Sequence, residues 1–260
     1  MRILVLGTSH AACLRDAFPA ILSVASELDL TFWGLPGGAF QKARMGEDGI
    51  LRPDPSDRIG RKKVSAWNTA TEIDLAPFDR IFLVGLRFGL NDMLRQMAEL
   101  QPLDWGPRAG AIGVSCGYLR AAFEASAALS LAAQAERIAL DGRFILMPAP
   151  YPAVLSTQLG GPRYEPNLHR ASELNRASDL MDMAEAAMRK AHVERGLGFV
   201  TQPRETLAAP LLSRDDLLQD SAQDARHMNS HYGLIAFRAL LATVSKDELS
   251  RPAAAAAKRA

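Results

Sequence analysis

The chain begins with MRILVLGTSH, residues 1–10, in which a run of aliphatic side chains leads directly into a small polar segment. Ile3–Leu6 is continuously apolar rather than alternating, which is typical of a strand buried on both faces of a parallel sheet. Gly7-Thr8-Ser9-His10 follows at once, and the pattern after it predicts a helix over Ala11–Glu27. The stretch therefore predicts a strand, a short polar turn and a helix, the first unit of an α/β fold.

Further apolar runs of the same kind recur along the chain, and they predict strands at Leu28–Trp33, Arg80–Val84, Phe144–Met147 and Gly198–Thr201. Helical periodicity lies between or after these runs, and it predicts helices over Tyr118–Ala139 and Asn167–His192 and a last helix opened by Asp224-Ala225-Arg226-His227. Strands that alternate with helices are typical of α/β proteins with parallel sheets. The sequence therefore predicts a three-layer α/β/α fold around a central, mainly parallel five-stranded sheet.

Residues 1–250 are predicted to form a single domain, since a chain of 260 residues can bury one core of ordinary size. Two stretches do not fit the simple alternation, and loop insertions are expected near residues 34–77 and 87–117. The first contains the basic cluster Arg61-Lys62-Lys63, which we interpret as a solvated loop, with a lid over an anionic substrate as the alternative. The Ala-rich residues 251–260 are predicted to be a disordered tail.

The composition excludes several classes of partner. A formal net charge of +1 gives no reason to expect a nucleic acid or an anionic membrane as a partner. No apolar stretch approaches the roughly 20 residues of a membrane span, and the apolar run at Ile3–Leu6 is too short for a signal peptide. The only cysteines, Cys13 and Cys116, cannot form a disulfide framework and fit a reducing compartment. A cytoplasmic protein is therefore expected.

A serine near one end of the chain and an Asp/His pair near the other are residue types used in nucleophilic catalysis. Ser9 follows the first predicted strand, so it is expected at the carboxyl edge of the sheet, where such folds place their sites. A serine hydroxyl needs a base to take its proton, and His227 suits that role. Asp224 precedes it by three residues and could fix the tautomer of the imidazole.

Each half of this arrangement has a plain structural alternative. Thr8 or Ser9 could simply cap the helix that follows the first strand. Asp224 could cap the last helix, with His227 on the surface. His10 could line a pocket beside Ser9 or merely occupy the first helical turn.

Together these segments resemble the SGNH hydrolase superfamily, also called the GDSL-type esterases and lipases. Gly7-Thr8-Ser9 stands where that family has Gly-Asp-Ser, with threonine in place of the non-catalytic aspartate. Asp224-Ala225-Arg226-His227 stands at the family's C-terminal Asp-x-x-His, and the order and near-terminal placement match over most of the chain. The resemblance implies a compact α/β/α protein with a sheet of the SGNH or flavodoxin-like type. It also implies a triad of Ser9, His227 and Asp224.

The resemblance also implies donors for an oxyanion. One comes from a glycine after the second strand, for which Gly37 and Gly38 are the candidates. Another is the asparagine of a Gly-x-Asn-Asp pattern after the third strand. Arg87 occupies that slot here, whereas Asn91, in Gly89-Leu90-Asn91-Asp92, has the literal pattern four residues later. Either residue could serve, the arginine as a cationic donor.

Three other possibilities carry less weight. Asp224, His227 and His231 would share one face of a helix and could hold a metal, but no further cluster of ligands accompanies them, so no metal is expected. Cys116 has no assignable His–Asp partner and is expected to be a small buried residue. Gly7-Thr8-Ser9-His10 lacks the glycine spacing of a dinucleotide-binding turn, so no cofactor is expected.

The function expected from the sequence is that of a serine hydrolase, an esterase that cleaves an acyl ester through a Ser-His-Asp triad. Its partner would be a small-molecule or carbohydrate ester, and the family resemblance alone suggests an acetylated carbohydrate. The departure at Arg87 motivates the alternative of a non-catalytic protein that binds ligands with this fold. An O-acyltransferase linked to polysaccharide metabolism is a further alternative.

Overall fold

The computed structural model describes residues 1–106, 108, 110–156, 166–220 and 224–244. The strands, numbered in chain order, are β1 (Arg2–Gly7), β2 (Asp29–Gly34), β3 (Arg44–Met45), β4 (Ile50–Arg52), β5 (Ile73–Asp74), β6 (Arg80–Leu86), β7 (Leu100–Pro102), β8 (Ile112–Val114), β9 (Phe144–Pro148), β10 (Gly198–Phe199), β11 (Leu207–Ala209), β12 (Leu212–Ser213), β13 (Leu218–Asp220) and β14 (Asp224–Met228). The helices are α1 (Ala12–Asp16), α2 (Phe18–Leu22), α3 (Gly37–Phe40), α4 (Arg58–Trp67), α5 (Leu90–Glu99), α6 (Cys116–Ile138), α7 (Pro166–Ser172), α8 (Ala177–Val193) and α9 (Ser230–Leu241). The predicted tail, residues 251–260, lies outside the described residues.

The centre of the molecule is a five-stranded sheet in the order β10-β9-β6-β1-β2, in which every neighbouring pair is parallel. Side chains along β1 alternate between its two faces. Leu4 and Leu6 enter a core cluster with residues of α6 and α8, whereas Ile3 and Val5 enter a second cluster with residues of α1 and α9. The sheet is thus covered by helices on both sides, and the predicted three-layer α/β/α fold is confirmed.

The five predicted strands of this sheet correspond to β1, β2, β6, β9 and β10, and each lies within two residues of its predicted bounds. Continuous apolar runs identified them because a strand covered on both faces has no polar side. The long helix predicted over Tyr118–Ala139 is also present as α6, and the hydroxyl of Ser115 caps it by accepting a hydrogen bond from the Tyr118 N–H.

The helix predicted over Ala11–Glu27 is wrong in its extent. A 3₁₀ turn over Ser9–Ala11 leads into α1, and the chain breaks at Ala17 before α2. Pro19 explains the break, because it has no N–H to donate to the carbonyl of Arg15 and its ring crowds that carbonyl. Pro19 is instead accommodated in the first turn of the new helix, α2, where the missing donor costs nothing.

Two further helix predictions need correction. The single helix predicted over Asn167–His192 is divided into α7 and α8 by turns at residues 173–176, and no proline or glycine in that stretch marks the break. The last helix does not begin at Asp224–His227. Those residues belong to β14, which pairs antiparallel with β13, and α9 begins after Asn229. The side chain of Asn229 caps α9 by accepting hydrogen bonds from the N–H groups of His231 and Tyr232.

The two stretches predicted as loop insertions have secondary structure of their own. Residues 34–77 contain α3, α4 and a small antiparallel sheet of β3, β4 and β5. Residues 87–117 contain α5 and the parallel pair β7 and β8. Arg61, Lys62 and Lys63 lie in α4 rather than in a loop, and all three are exposed. Within the described residues, no helix has the length and apolar character needed to cross a bilayer.

Candidate active site

Thr8 fixes the backbone on both sides of Ser9 at the carboxyl end of β1. The Thr8 N–H donates to the Val84 carbonyl (3.2 Å), and the Thr8 hydroxyl donates to the Gly85 carbonyl (2.9 Å). Gly85 has a φ of 95°, and a Cβ atom at that position would lie 2.3 Å from the Thr8 hydroxyl oxygen. Only glycine therefore allows β1 and β6 to approach each other this closely beside Ser9.

The predicted helix cap in this segment is confirmed for Thr8. Its hydroxyl oxygen accepts a hydrogen bond from the His10 N–H (3.4 Å) at the start of the 3₁₀ turn. The hydroxyl of Ser9 is not used for capping. It lies instead beside the imidazole of His227, with the Ser9 Oγ 2.9 Å from the His227 Nε2.

His227 connects Ser9 to Asp224. The Nδ1 of the imidazole lies 2.5 Å from the Oδ2 of Asp224, while its Nε2 faces the Ser9 hydroxyl. If Nδ1–H donates to the carboxylate, Nε2 is left as an acceptor for the serine proton. Ser9 and His227 are 218 residues apart in sequence, so only the tertiary fold brings the three groups together.

The carboxylate of Asp224 is held in its ionised form. Its Oδ1 accepts hydrogen bonds from the N–H groups of Arg226 (3.0 Å) and His227 (3.3 Å). Burial acts to raise the pKa of Asp224, but the hydrogen bonds from the His227 ring and from the two backbone N–H groups outweigh it and lower that pKa. An ionised carboxylate at this position would stabilise a protonated His227.

A cavity of about 380 Å³ opens beside these residues. It is lined by Thr8, Ser9, His10, Gly37, Gly38, Gln41, Gly85, Leu86, Arg87, Asn91, Ala149, Arg226 and His227. These residues lie at or after the carboxyl ends of β1, β2, β6 and β9 or lie in β14, as expected for a site in a parallel sheet. The cavity thus contains every residue predicted for catalysis or oxyanion binding except Asp224, which lies behind His227.

Three backbone amides at the cavity are candidates to bind an oxyanion. Among the described residues, none accepts a hydrogen bond from the N–H of Ser9. Gly37 and Gly38 occupy the first turn of α3, where N–H groups have no acceptor within the helix, and Pro36 provides no side-chain cap. A Cβ atom at Gly37 or Gly38 would meet nothing within 4 Å, so packing within the protein does not require glycine at either position.

Arg87 and Asn91 both line the cavity, on either side of a sharp turn. Arg87 Nη1 donates to the carbonyls of Ala149 (3.0 Å) and Pro150 (2.9 Å), which orients the guanidinium group. Gly89 follows with a left-handed φ of 87° and precedes α5, and Asn91 is an exposed residue in the first turn of that helix. Both alternatives from the sequence are therefore in place to act as side-chain donors.

A network of buried polar side chains fixes the segment that holds Arg87. The Tyr151 N–H donates to the Gln202 side-chain oxygen (2.7 Å), and the Gln202 amide nitrogen donates to the Ser213 hydroxyl (2.8 Å). The Ser213 hydroxyl in turn donates to the Tyr151 carbonyl (2.6 Å). The loop after β9 is thereby held rigidly beside the cavity.

His10 lines the cavity with its ring centroid 5.0 Å from that of His227. Its Nδ1 is buried and has no hydrogen-bond partner among the described residues. Burial, followed by the charge of Arg87 and the nearby His227, holds the pKa of His10 well below its usual range. His10 is therefore a neutral neighbour of the proposed base at pH 7.

The sequence prediction missed Arg226 and Gln41, although both line the cavity. Arg226 could have been noticed, because it immediately precedes the proposed base and carries a charge. Gln41 gave no signal of its own, since its position depends on where α3 ends.

The remaining candidates from the sequence lie away from the cavity. His231 is exposed on α9, and among the described residues no group of three or more His, Cys, Asp or Glu side chains is arranged to hold a metal. Cys116 is half-buried rather than buried, and its thiol donates to the Oδ1 of Asp104 (3.0 Å). That hydrogen bond raises the pKa of Cys116, which disfavours a reactive thiolate.

No protein-family model matches the chain, and no curated protein matches it in sequence. Among solved structures, the chain is similar to the crystal structure of a DUF4886 family protein from Bacteroides uniformis. The two share 14% sequence identity with a TM-score of 0.39, and the match covers 98% of this chain and 93% of that chain. Neither the identity nor the TM-score is high enough to relate the two proteins by function.

Proposed function

We propose that this protein is a serine hydrolase of the SGNH type that cleaves an acyl ester, with Ser9 as nucleophile. The observation that carries the proposal is the position of the His227 imidazole, which has Ser9 Oγ at 2.9 Å on one ring nitrogen and Asp224 Oδ2 at 2.5 Å on the other. This is the arrangement in which a base activates a serine and a carboxylate orients the base.

In the first half of the reaction, Ser9 Oγ attacks the carbonyl carbon of the ester while its proton moves to His227 Nε2. Asp224 stabilises the imidazolium that forms through the hydrogen bond at Nδ1. The tetrahedral intermediate collapses when its C–O bond to the alcohol breaks, and His227 returns the proton to the leaving oxygen. The products are the free alcohol and an acyl ester on Ser9.

In the second half, water or another alcohol attacks the acyl carbon while its proton moves to His227 Nε2. The bond between that carbon and Ser9 Oγ then breaks, and His227 returns the proton to Ser9 Oγ. Attack by water makes the protein an esterase, and attack by a sugar hydroxyl makes it an O-acyltransferase. In both halves the negative charge on the carbonyl oxygen requires preorganised donors. The amides of Ser9 and Gly37 or Gly38 supply them, together with the side chain of Arg87 or Asn91.

Labelling with a fluorophosphonate probe tests the nucleophile directly. The wild-type protein should be labelled at Ser9 and should turn over 4-nitrophenyl acetate, whereas Ser9→Ala should do neither. Asp224→Asn should lower kcat by roughly three to four orders of magnitude, because the wrong tautomer of His227 would then be favoured. Cys116→Ala is the matched control and should retain both activities, since that thiol lies away from the cavity.

One observation supports a second candidate, a binding protein without turnover. Arg87 stands where the family resemblance implies asparagine, and its Nη1 already donates to two backbone carbonyls. A well-folded wild-type protein that neither labels nor turns over the ester would exclude the hydrolase and leave this candidate.

A further inference from the structure

Two guanidinium groups, those of Arg87 and Arg226, line the cavity that contains Ser9. Among the described residues that line it, none is Asp or Glu. Asp224 is the nearby acid, but its carboxylate accepts hydrogen bonds from His227 and from backbone N–H groups. The cavity therefore presents positive charge to whatever enters it.

The proposed reaction assigns no role to Arg226. Its Nε is buried and has no hydrogen-bond partner among the described residues. An unsatisfied buried donor costs free energy, and a charged one costs more than a neutral one. Arg226 lines the cavity and forms no ion pair among the described residues, so its guanidinium charge is suited to meet an oxygen atom of a ligand in the cavity rather than to stabilise the fold.

The neighbouring His10 does not add a charge of its own. Burial first, and then the charges around it, including those of Arg87 and Arg226, lower the pKa of His10. A neutral His10 does not repel a cation or attract an anion, so the charge that Arg226 presents to a ligand is not changed by His10. Since Arg87 stands at the expected position of an oxyanion donor, the two arginines can act on different groups of one substrate.

Building on the proposed ester chemistry, we propose that the substrate is a short acyl ester that carries an anionic group, a carboxylate or a phosphate, and that Arg226 binds this group. A guanidinium is planar and matches the oxygen atoms of either group with two parallel hydrogen bonds. A cavity of about 380 Å³ leaves room for a small ester with such a group.

Two pairs of esters test the proposal, each pair differing in one charge. The first pair is 4-acetoxybenzoate and its neutral methyl ester, with the charge on the alcohol side. The second is 4-nitrophenyl hydrogen glutarate and 4-nitrophenyl butyrate, with the charge on the acyl side. For at least one pair, kcat/KM of the wild-type protein should favour the anionic ester by about 10-fold or more at low ionic strength. Added salt should reduce this preference.

Variants then assign the preference to Arg226. Arg226→Gln should lower the ratio of kcat/KM for the anionic ester to kcat/KM for the neutral ester by about 10-fold. Arg226→Lys should give an intermediate ratio, because lysine keeps the charge but lacks the two parallel N–H donors of the guanidinium. Arg120→Gln removes the same charge from an exposed position on α6 and should leave the ratio unchanged. A wild-type ratio at or below one for both pairs, or a ratio that Arg226→Gln does not change, would overturn the proposal.

The outcome also separates this inference from the proposed function. If Ser9 is labelled and neutral esters are turned over without a preference for anionic esters, the proposed hydrolase function is supported and the proposed role of Arg226 is refuted. If no ester is turned over, the proposed hydrolase function is refuted. The anion site is then tested by measuring the Tm of the protein with and without added glutarate or inorganic phosphate. A rise in Tm that Arg226→Gln abolishes would support the site, and no rise would overturn it.

Discussion

At the scale of single residues, the position of the proposed nucleophile depends on one hydroxyl group. Thr8 is only 3% exposed, and its Oγ1 both donates to the Gly85 carbonyl and accepts from the His10 N–H. Ser9 lies between the two points that this side chain fixes. The threonine thus holds the backbone of the site without touching the reacting atoms.

Replacing Thr8 with valine should reveal this positioning role. The side chains have nearly the same shape, but Thr8→Val leaves the buried Gly85 carbonyl without its donor. We expect a loss of about 1–2 kcal/mol in the free energy of unfolding and slower labelling of Ser9 by a fluorophosphonate. Urea unfolding and labelling rates measure the two effects. Thr8→Ser keeps the hydroxyl and should label nearly as fast as wild type; equal labelling rates for all three proteins would refute the role.

The triad residues could be proposed from the sequence because their chemistry is tied to residue type. A serine after an apolar strand, and a histidine three residues after an aspartate, can be recognised directly in the sequence. The charge of Arg226 beside the proposed base could have been noticed, but its position in the cavity wall could not be predicted, because the sequence favoured a helix over residues 224–227. Which neighbour of His227 faces the cavity depends on β14 and its pairing with β13.

At the scale of elements, two helices bring the segments of Ser9 and His227 together. α1 follows Ser9 and α9 follows His227, and both pack on the same face of the sheet in one core cluster. They are in close contact at Gly233, where a Cβ atom would lie 1.9 Å from the Cys13 carbonyl oxygen. Since that oxygen belongs to the backbone, no side-chain rotation can make room for it. The glycine therefore sets the distance between the helices that position the proposed base and nucleophile.

Substituting Gly233 with alanine should separate these helices. We expect Gly233→Ala to lower the free energy of unfolding by about 1–3 kcal/mol, despite the better helix propensity of alanine, and to slow Ser9 labelling. Gly117→Ala is the matched control, because Gly117 also lies in a helix but its Cβ would meet only the Ser115 Oγ, at 3.8 Å. The control should be neutral or stabilising by up to about 1 kcal/mol. A Gly233→Ala protein as stable and as quickly labelled as wild type would contradict this account.

Elements marked by residues within or next to them could be predicted from the sequence. Elements without such a marker could not. The central strands are identified by continuous apolar runs, and Ser115 marks the start of α6 by its capping side chain. Pro19 is a local signal of the same kind, because a proline inside a predicted helix marks the end of one helix and the start of the next. The split between α7 and α8 has no such local marker. Its turns at residues 173–176 were not predictable from periodicity alone.

At the scale of the whole molecule, the order of strands explains why one site can draw on distant parts of the chain. β1 lies between β2 and β6, and β9 follows β6, so four carboxyl strand ends meet at one edge. Backbone hydrogen bonds continue past those ends, from the Leu35 N–H to the Gly7 carbonyl and from the Ala149 N–H to the Leu86 carbonyl. The segments that carry the cavity residues are therefore extensions of the sheet, which gives the site a rigid base.

The stability of the whole molecule should depend on pH through a histidine in its core. His192 is fully buried on α8, where its ring packs against Phe88 and Phe199. Its Nδ1 lies 2.6 Å from the Met188 carbonyl oxygen, and its Nε2 has no partner among the described residues. Burial lowers the pKa of His192 to about 4, since a charged imidazole would be poorly solvated there.

Between about pH 6.5 and pH 4, the unfolded chain therefore binds a proton at residue 192 that the folded chain does not bind. The free energy of unfolding must fall as the pH is lowered through this window, by roughly 2 kcal/mol at pH 5 relative to pH 7 from this group alone. His10 acts in the same direction, so the difference between wild type and His192→Phe isolates the contribution of His192. In urea unfolding, the two proteins should give parallel curves of stability against pH between pH 7 and 8. The curves should diverge below pH 6.5, with the wild type losing stability faster. Curves that stay parallel down to pH 4.5 would show that the folded protein admits a charged imidazole into its core at little cost.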